Sequence, residues 1–439
     1  MDTAELEARL DAVDLADDPD GWAVAAYRLA VARSELATTV DGLAACVELL
    51  DKAGRILTPE RAPLEHGRIA TVMGHCHRSA GRPDLAVDDF RRAADLLRGR
   101  SDVLEEAAAL ANVGLGLTES GRPADAVGPL SKAIDLLTVA MVGDDAAGSG
   151  GDRRRTLGAA LVNRAQARQM TSTADGLAAA IADYEAATDV LDAESPQSAM
   201  AWHGLATVLL ERGEPADLTR AIAAIEQSLT VFSVNAFPFQ HAIARHSMAV
   251  ALNRRGRDLH ERGPSDADML DLARAAHHGE AALAVFDPRL HAAQWRAVDE
   301  LLTTIEVRLG NRSREEAVVQ LMVAVDEDER TQLLRDRLAP LARAPDVRVE
   351  RDLGRLCGAL TRLDPTVHQL VVRSLVSVLM ELPDRILEHA VRALVAANDA
   401  LPDGEIYDRS LDDAVHARLF GPQRVRVRDL LESQGWVRP

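Results

Sequence analysis

The chain has 439 residues, 47% of them apolar but only 3% aromatic, and a formal net charge of −19 from 69 acidic and 50 basic side chains. That length supports a large core or several domains, and alanine and leucine as the main apolar residues suit closely approaching helices and disfavour a sheet protein. The acidic balance argues against nonspecific nucleic-acid binding unless basic residues concentrate on one face.

Cys46, Cys76 and Cys357 are far apart and odd in number, so they form no disulfide framework and no CxxC site. This fits a reducing cytosol, and a cytoplasmic location is the expectation. The opening MDTAELEARLDAVD has no basic start and no apolar run, unlike a signal peptide. Nowhere do about 18 apolar residues run together without charge, so no membrane partner is expected.

Taken in order, residues 1–18 read as an acidic amphipathic helix with Leu6, Leu10, Val13 and Leu15 on one side. A helix from Trp22 to about Ala37 is followed by a partner from Asp41 to Leu57, broken at Thr58-Pro59. His66 to Gly99 reads as two short helices folded back on each other. Ala70, Met73 and Gly74 give the first a close-packing face, and Ala86, Phe90, Ala93 and Leu97 give the second a stripe at three- and four-residue spacing. Gly81-Arg82-Pro83 between them is a stop-and-restart signal. A pair this small cannot bury its own apolar face, so it needs copies beside it.

Those copies are present. From Glu105 to about Ala140, Gly114 answers to Gly74, Gly121-Arg122-Pro123 to Gly81-Arg82-Pro83, and Ala126, Leu130 and Ala133 to Ala86, Phe90 and Ala93, all offset by 40 residues. Residues 143–152, glycine-rich and polar, read as a linker loop. Arg153 to Asp192 is a further copy with Ala180, Tyr184 and Ala187, and Gln197 to Ser233 another, with Gly213 closing its first helix. His241 to Phe286 is longer and looser, and a helix is expected from Asp287-Pro288 through Leu309.

After residue 310 the signature is lost, although Arg314–Val325, Glu329–Ala342, Leu353–Leu363, Thr366–Leu382 and Asp384–Ala397 keep helical periodicity. Val367, Leu370, Val371, Leu375, Val378 and Leu379 form the most apolar run, expected as a central core helix. The reading is therefore a repeat domain over 1–309 and a C-terminal helical module over 310–439. The final QRVRVRDLLESQGWVRP fits either a short edge strand or a helix start.

These landmarks resemble the tetratricopeptide repeat (TPR) family. The small residue late in the first helix matches Gly74 and Gly114, and the small, bulky, small trio of the second matches Ala86/Phe90/Ala93 and Ala126/Leu130/Ala133. The resemblance is closest over 66–140, looser over 22–57 and 153–233, weak over 241–309, and absent beyond 310. The glycine position becomes Val31, Ala165 or Ala206 in the looser copies, and Arg164 stands where the family is usually apolar. The resemblance implies an all-α, right-handed α-α superhelix whose concave face, lined by first helices, binds a peptide or protein. It also implies an asparagine before the small first-helix residue that bonds ligand backbone or a terminal carboxylate, a position matched by Asn112 and Asn163. Arg68, Thr71, His75 and Arg78 map toward the same face, as do Gln166 and Gln169. An amide satisfies both a ligand carbonyl and an amide hydrogen, and arginine adds a charge-assisted fork. The alternative is that these amides only bond neighbours or solvent.

No phosphate loop, dinucleotide fingerprint or serine nucleophile elbow is present. His75-Cys76-His77 cannot clamp one ion, because residues two apart do not share a helix face; His77 is expected in the core and His75 toward the groove. His241, His246, His277, His278 and His291, with Asp258, Glu261, Asp266, Asp268 and Glu280 nearby, match no specific metal pattern. Cys357 reads as a small buried residue, and Asp326–Glu329 as a solvated helix start. The basic tail, Arg424, Arg426, Arg428 and Arg438 with Trp436, suits docking on an acidic partner or on the protein's own acidic superhelix.

The function expected is a noncatalytic scaffold or regulatory adaptor holding a peptide or protein, with no cofactor and no catalytic residue. The alternative is an enzyme or small-molecule binder with a pocket between residues 241–309 and the C-terminal module, marked by convergence of His246, His278 and an acid. Self-association into a structural assembly is a third class.

Overall fold

A computed structural model describes residues 3–142, 150–256, 266–310 and 313–437. The chain divides into two compact units, Met1–Val231 and Phe232–Pro439. All regular structure among the described residues is helical.

The first unit opens with α1 (Thr3–Asp11), which buries only Leu6. The helix expected over 1–18 is thus shorter; Leu15 lies beyond it and is exposed. Hairpins follow: α2 (Pro19–Leu36) with α3 (Val40–Ile56), α4 (Pro63–Ser79) with α5 (Pro83–Leu97), α6 (Val103–Glu119) with α7 (Pro123–Val142), α8 (Gly150–Met170) with α9 (Ala174–Val190), and α10 (Pro196–Arg212) with α11 (Pro215–Val231). Each second helix also packs on the next first helix, which makes the hairpins an α-α solenoid. Of the expected loop at 143–152, residues 143–149 lie outside the described residues and 150–152 form the first turn of α8.

Local chemistry places the boundaries. Asp18, Thr39, Asp102, Thr173 and Ser195 accept from backbone amides in the first turns of α2, α3, α6, α9 and α10. Gly81 and Gly121 have φ of +72° and +73°. Arg82 N–H donates to His77 C=O and Gly81 N–H to Arg78 C=O, the paired bonds of a Schellman turn, and Arg122 and Gly121 repeat them on Leu117 and Thr118. Gly213 ends α10 with φ of +71°.

The expected small-against-bulky packing is present. A Cβ on Gly74 would lie 2.5 Å from the Phe90 ring, and one on Gly114 would lie 2.3 Å from Leu130. Phe90 and Leu130 are wholly enclosed, each burial worth about 1.5–3 kcal/mol.

The second unit begins with the hairpin α12 (Pro238–Arg255) and α13 (Asp266–Leu283). Next is α14 (Ala292–Arg308), whose start lies later than the expected Asp287 because 287–291 form a turn before the helix. From α15 (Arg314–Ala324) the stacking changes. Helices α16 (Glu327–Leu338), α17 (Asp346–Leu360), α18 (Pro365–Leu379), α19 (Asp384–Asp399), α20 (Gly404–Arg418) and α21 (Gly421–Ser433) follow. Here α15 packs on α17, α17 on α19 and α19 on α21, while α16 packs on α18 and α18 on α20. Alternate helices thus form two layers. The change of pattern expected near 310 falls inside this unit, at the step from α14 to α15, and α13 packs against both.

Helix α18 has a mostly enclosed face, but Leu370 is exposed, and Val372 and Val376 are buried in addition to Val371, Leu375, Val378 and Leu379. Contacts on both layers of the stack, α16, α15, α19 and α20, explain the wider buried arc. The tail is helix α21, not an edge strand.

Gly74→Ala brings a methyl against the Phe90 ring and is expected to destabilise by about 1–3 kcal/mol. Gly128→Ala, in α7 with open space at its Cβ position, gains about 0.5–1 kcal/mol of helix preference instead. Urea unfolding of both variants checks this, and equal midpoints would contradict the packing.

Candidate functional site

Helices α4, α6 and α8 carry the expected ligand residues, and neighbouring first helices tie many of them together. Arg68 of α4 forks onto Glu105 of α6, with Nη2 2.9 Å from Oε1. Arg78 lies 3.2 Å from Glu119. His75 Nε2 sits 3.4 Å from Asn112 Nδ2 and its ring meets Phe90 edge-on at 5.1 Å. Burial, and then the Arg78 charge, lower the His75 pKa and favour a neutral imidazole. Tyr27 of α2 joins this face beside Arg68 and Glu105; burial raises its pKa.

The remaining residues divide by partner. Thr71 Oγ1 donates to Gly67 C=O, which occupies the hydroxyl within its own helix. Gln169 donates to Glu211 of α10 at 2.9 Å. Among the described residues, half-buried Asn163 and exposed Gln166 have no side-chain hydrogen-bond partner. The face therefore presents neutral amides between charges already paired.

A second feature went unread in the sequence: second-helix aspartates are buried and joined to first-helix cations. His77 Nδ1 is 2.7 Å from Asp89. Arg168 and Arg164 both reach Asp183, at 2.6 Å and 2.7 Å. Arg212 reaches Asp217 at 2.5 Å, and in the second unit Arg255 reaches Asp271 at 2.6 Å. This accounts for Arg164 at a usually apolar position, where it also donates to Ser131. The available signal was an acid directly before the bulky residue, as in Asp89-Phe90 and Asp183-Tyr184.

Among the described residues no group of three His, Cys, Asp or Glu is placed to hold a metal ion. His75 and His77 go to the separate partners named above. Cys76 and Cys357 are enclosed, and burial pushes their thiols up to about 11 and about 12, so neither is poised as a nucleophile. Of the second-unit histidines, His278 Nδ1 accepts from Arg245 at 2.9 Å, and Arg245 in turn donates to Asp336 at 2.6 Å. The acid is Asp336, not one of the five expected; His246 takes no part, and Asp258 and Glu261 lie outside the described residues. A cavity of about 70 Å³ walled by Asp336, Arg337, Glu280 and Glu315 adjoins this cluster, room for a few waters. A wider cleft of about 540 Å³ shares Glu280 and Glu315, and its acids are met by Arg314, Arg337 and Arg362.

The basic tail packs on neighbouring helices of the second unit, not on the repeat helices expected to receive it. Arg424 donates to Leu419 and His416 carbonyls, Arg426 pairs with Asp384, Arg428 bonds Asp412, and Trp436 is buried. Arg438 lies outside the described residues. Asp326 caps α16, while Glu327 pairs with Arg418 and Glu329 with Arg274.

No protein-family model matches the chain, and no curated protein does. Among solved structures, the chain is similar to the TPR domain of P58(IPK) at 15% identity, covering 93% of this chain and 97% of that one with a TM-score of 0.24. It is likewise similar to yeast Tom70 at 13% identity, covering 95% and 96% with a TM-score of 0.19. Scores this low carry no argument about function, and the chain's own helix pairing carries the solenoid assignment. No helix among the described residues is long and apolar enough to cross a membrane.

Asp183→Ala strands Arg164 and Arg168 without their shared carboxylate. The expected cost is about 3–5 kcal/mol, as for other buried pairs broken from one side. Chemical denaturation measures it; a loss within the range of a surface substitution would show the pair to be dispensable.

Proposed function

We propose that the chain is a noncatalytic interaction scaffold, with residues 1–309 as the repeat domain and 310–439 as a second helical module. The face of α4, α6 and α8 receives an extended peptide or protein segment. Asn112 and Asn163 bond its backbone; Arg68, Thr71, His75 and Arg78 flank it on one side, and Gln166 and Gln169 on the other. The supporting observation is that the cations of this face are engaged by Glu105 and Glu119 while Asn163 and Gln166 stand uncommitted. A surface with that division reads main-chain donors and acceptors more than side-chain charge. Stacked hairpins hold these groups in place before a ligand arrives, which lowers the ordering cost of binding.

The enzyme or small-molecule reading has less support. His278 and an acid meet only through Arg245, His246 is absent from the cluster, and the cavity adjoining that cluster is too small for a typical metabolite, while the wider cleft of about 540 Å³ holds neither histidine and has its acids paired with arginines.

The test is a partner recovered by affinity capture, followed by calorimetry with wild type and the N112A/N163A double variant. Losing two neutral hydrogen bonds predicts a loss of about 1–3 kcal/mol, or roughly 5- to 150-fold in affinity. Helicity should be unchanged, since the Asn112 side chain hydrogen-bonds only to His75 and that of Asn163 to no described residue. Affinity should also vary little with salt, because few new charges are paired. Unchanged affinity in the double variant would remove these asparagines from the site.

A further inference from the structure

Arg245 of α12 sits at the junction of α12, α13 and α16, and it spends its guanidinium on three partners. Nη2 donates to Asp336 of α16 at 2.6 Å, Nη1 to His278 Nδ1 of α13 at 2.9 Å, and Nε to His241 Nε2 of its own helix at 3.3 Å. His277 Nε2 lies 3.5 Å from the same Asp336 oxygen, and Gln332 donates to the other at 2.8 Å.

These bonds fix the imidazole protons. His241 Nδ1 is 2.8 Å from Phe232 C=O and must donate to it, so Nε2 is the lone pair facing Arg245. His278 presents Nδ1 as acceptor, so its proton is on Nε2. A second proton on either ring removes the acceptor, breaks the bond to Arg245 and places two cations in contact.

We propose that Arg245, His241, His278 and Asp336 form a proton-sensitive latch that fastens α16 to the α12–α13 hairpin and weakens on mild acidification. The surrounding charges give no relief. On α13, Arg274 pairs with Glu329 and Asp271. On α16, Arg337 is held by Glu315 of α15. Arg314 of α15 takes Glu280 of α13 and Asp299 and Glu306 of α14, and Arg308 of α14 bonds Asn253 and Gly256. Among the described residues Asp336 is the one carboxylate within reach of Arg245 and His277, and Arg245 already occupies it.

The direction of the pH effect follows. Burial first, then Arg245, lower the His278 pKa well below its ordinary value; burial and Arg245 also lower His241, against its bond to Phe232. The unfolded chain therefore binds more protons than the native one below about pH 6.5. The latch is at full strength above that pH and weakens as pH falls through it. Burial would raise Asp336, but His277 and Arg245 outweigh it and hold the carboxyl below the usual range. Its contribution is present above its unfolded value and is lost only below about pH 4, so the window between belongs to the histidines.

Hydrogen exchange of the full chain, corrected for intrinsic rate, tests this between about pH 7.5 and about pH 5.5, either side of a free imidazole pKa. Amides of α12 and α16 should exchange about tenfold faster at the lower pH, the factor for one imidazole kept neutral about one pH unit below its free pKa, while α8 and α9 of the other unit, which hold no histidine, should not. In His241→Gln with His278→Asn, chosen to keep an acceptor near each ring nitrogen but unable to take a proton, the acceleration should vanish. Acceleration that persists in this variant, or none in wild type, would overturn the latch. If the double variant fails to fold, proton resonances of the wild-type imidazoles decide: His278 titrating as a free histidine would overturn it, and His278 staying neutral to well below that pH would support it.

Discussion

Everything in the first unit depends on how closely two helices of a hairpin can approach. With glycine at 74, the Phe90 ring lies where a Cβ would otherwise stand, and Leu130 lies the same way over Gly114. Gly204 of α10 repeats the device against Tyr184 of the preceding α9. Close contact on one side of each helix leaves the other side to meet the next hairpin, so one geometric rule produces both the pair and the stack. A face built this way is rigid, because its residues sit on backbone that cannot shift without opening a packed ring.

Buried charge is the second constraint, and it bears directly on function. Asp89, Asp183, Asp217 and Asp271 lie inside, each fastened by a histidine or arginine. A lone carboxylate there would be costly, so its cation is committed to the fold and not to a ligand. On the exposed first-helix face Arg68 and Arg78 are also committed, to Glu105 and Glu119. On the face proposed to receive a partner, a protein rich in ionic residues thus presents neutral amides between charges that are already paired.

The second unit shows where reading the sequence falls short. Its later helices start at Asp346, Pro365 and Asp384, 19 residues apart, and Pro345-Asp346, Asp364-Pro365, Pro383-Asp384 and Pro402-Asp403 mark four of the boundaries. That punctuation is a repeat signal in plain view, but it carries no small-bulky-small signature and passed without notice, together with the whole of α20. The physical difference is that these helices pack on alternate neighbours, so no constant pair of positions meets within each hairpin.

What the sequence determined by itself is whatever short-range chemistry decides. The hairpin boundaries follow from caps, prolines and left-handed glycines, and the buried stripes follow from helical spacing; both depend on residues within a few turns of each other. The turning of His77 toward buried Asp89 and the placing of Gly213 at a helix end were legible for the same reason. Only the tertiary structure decided which distant groups meet. Arg68 with Glu105, Arg164 with Asp183, and Arg245 with Asp336, 91 residues away, are choices among many similar ions, and net charge and local pattern are equal for all of them. They are resolved when stacking brings particular helix faces together, because the Coulomb and hydrogen-bond energies that select a partner act over a few ångströms, a distance that the linear sequence does not contain.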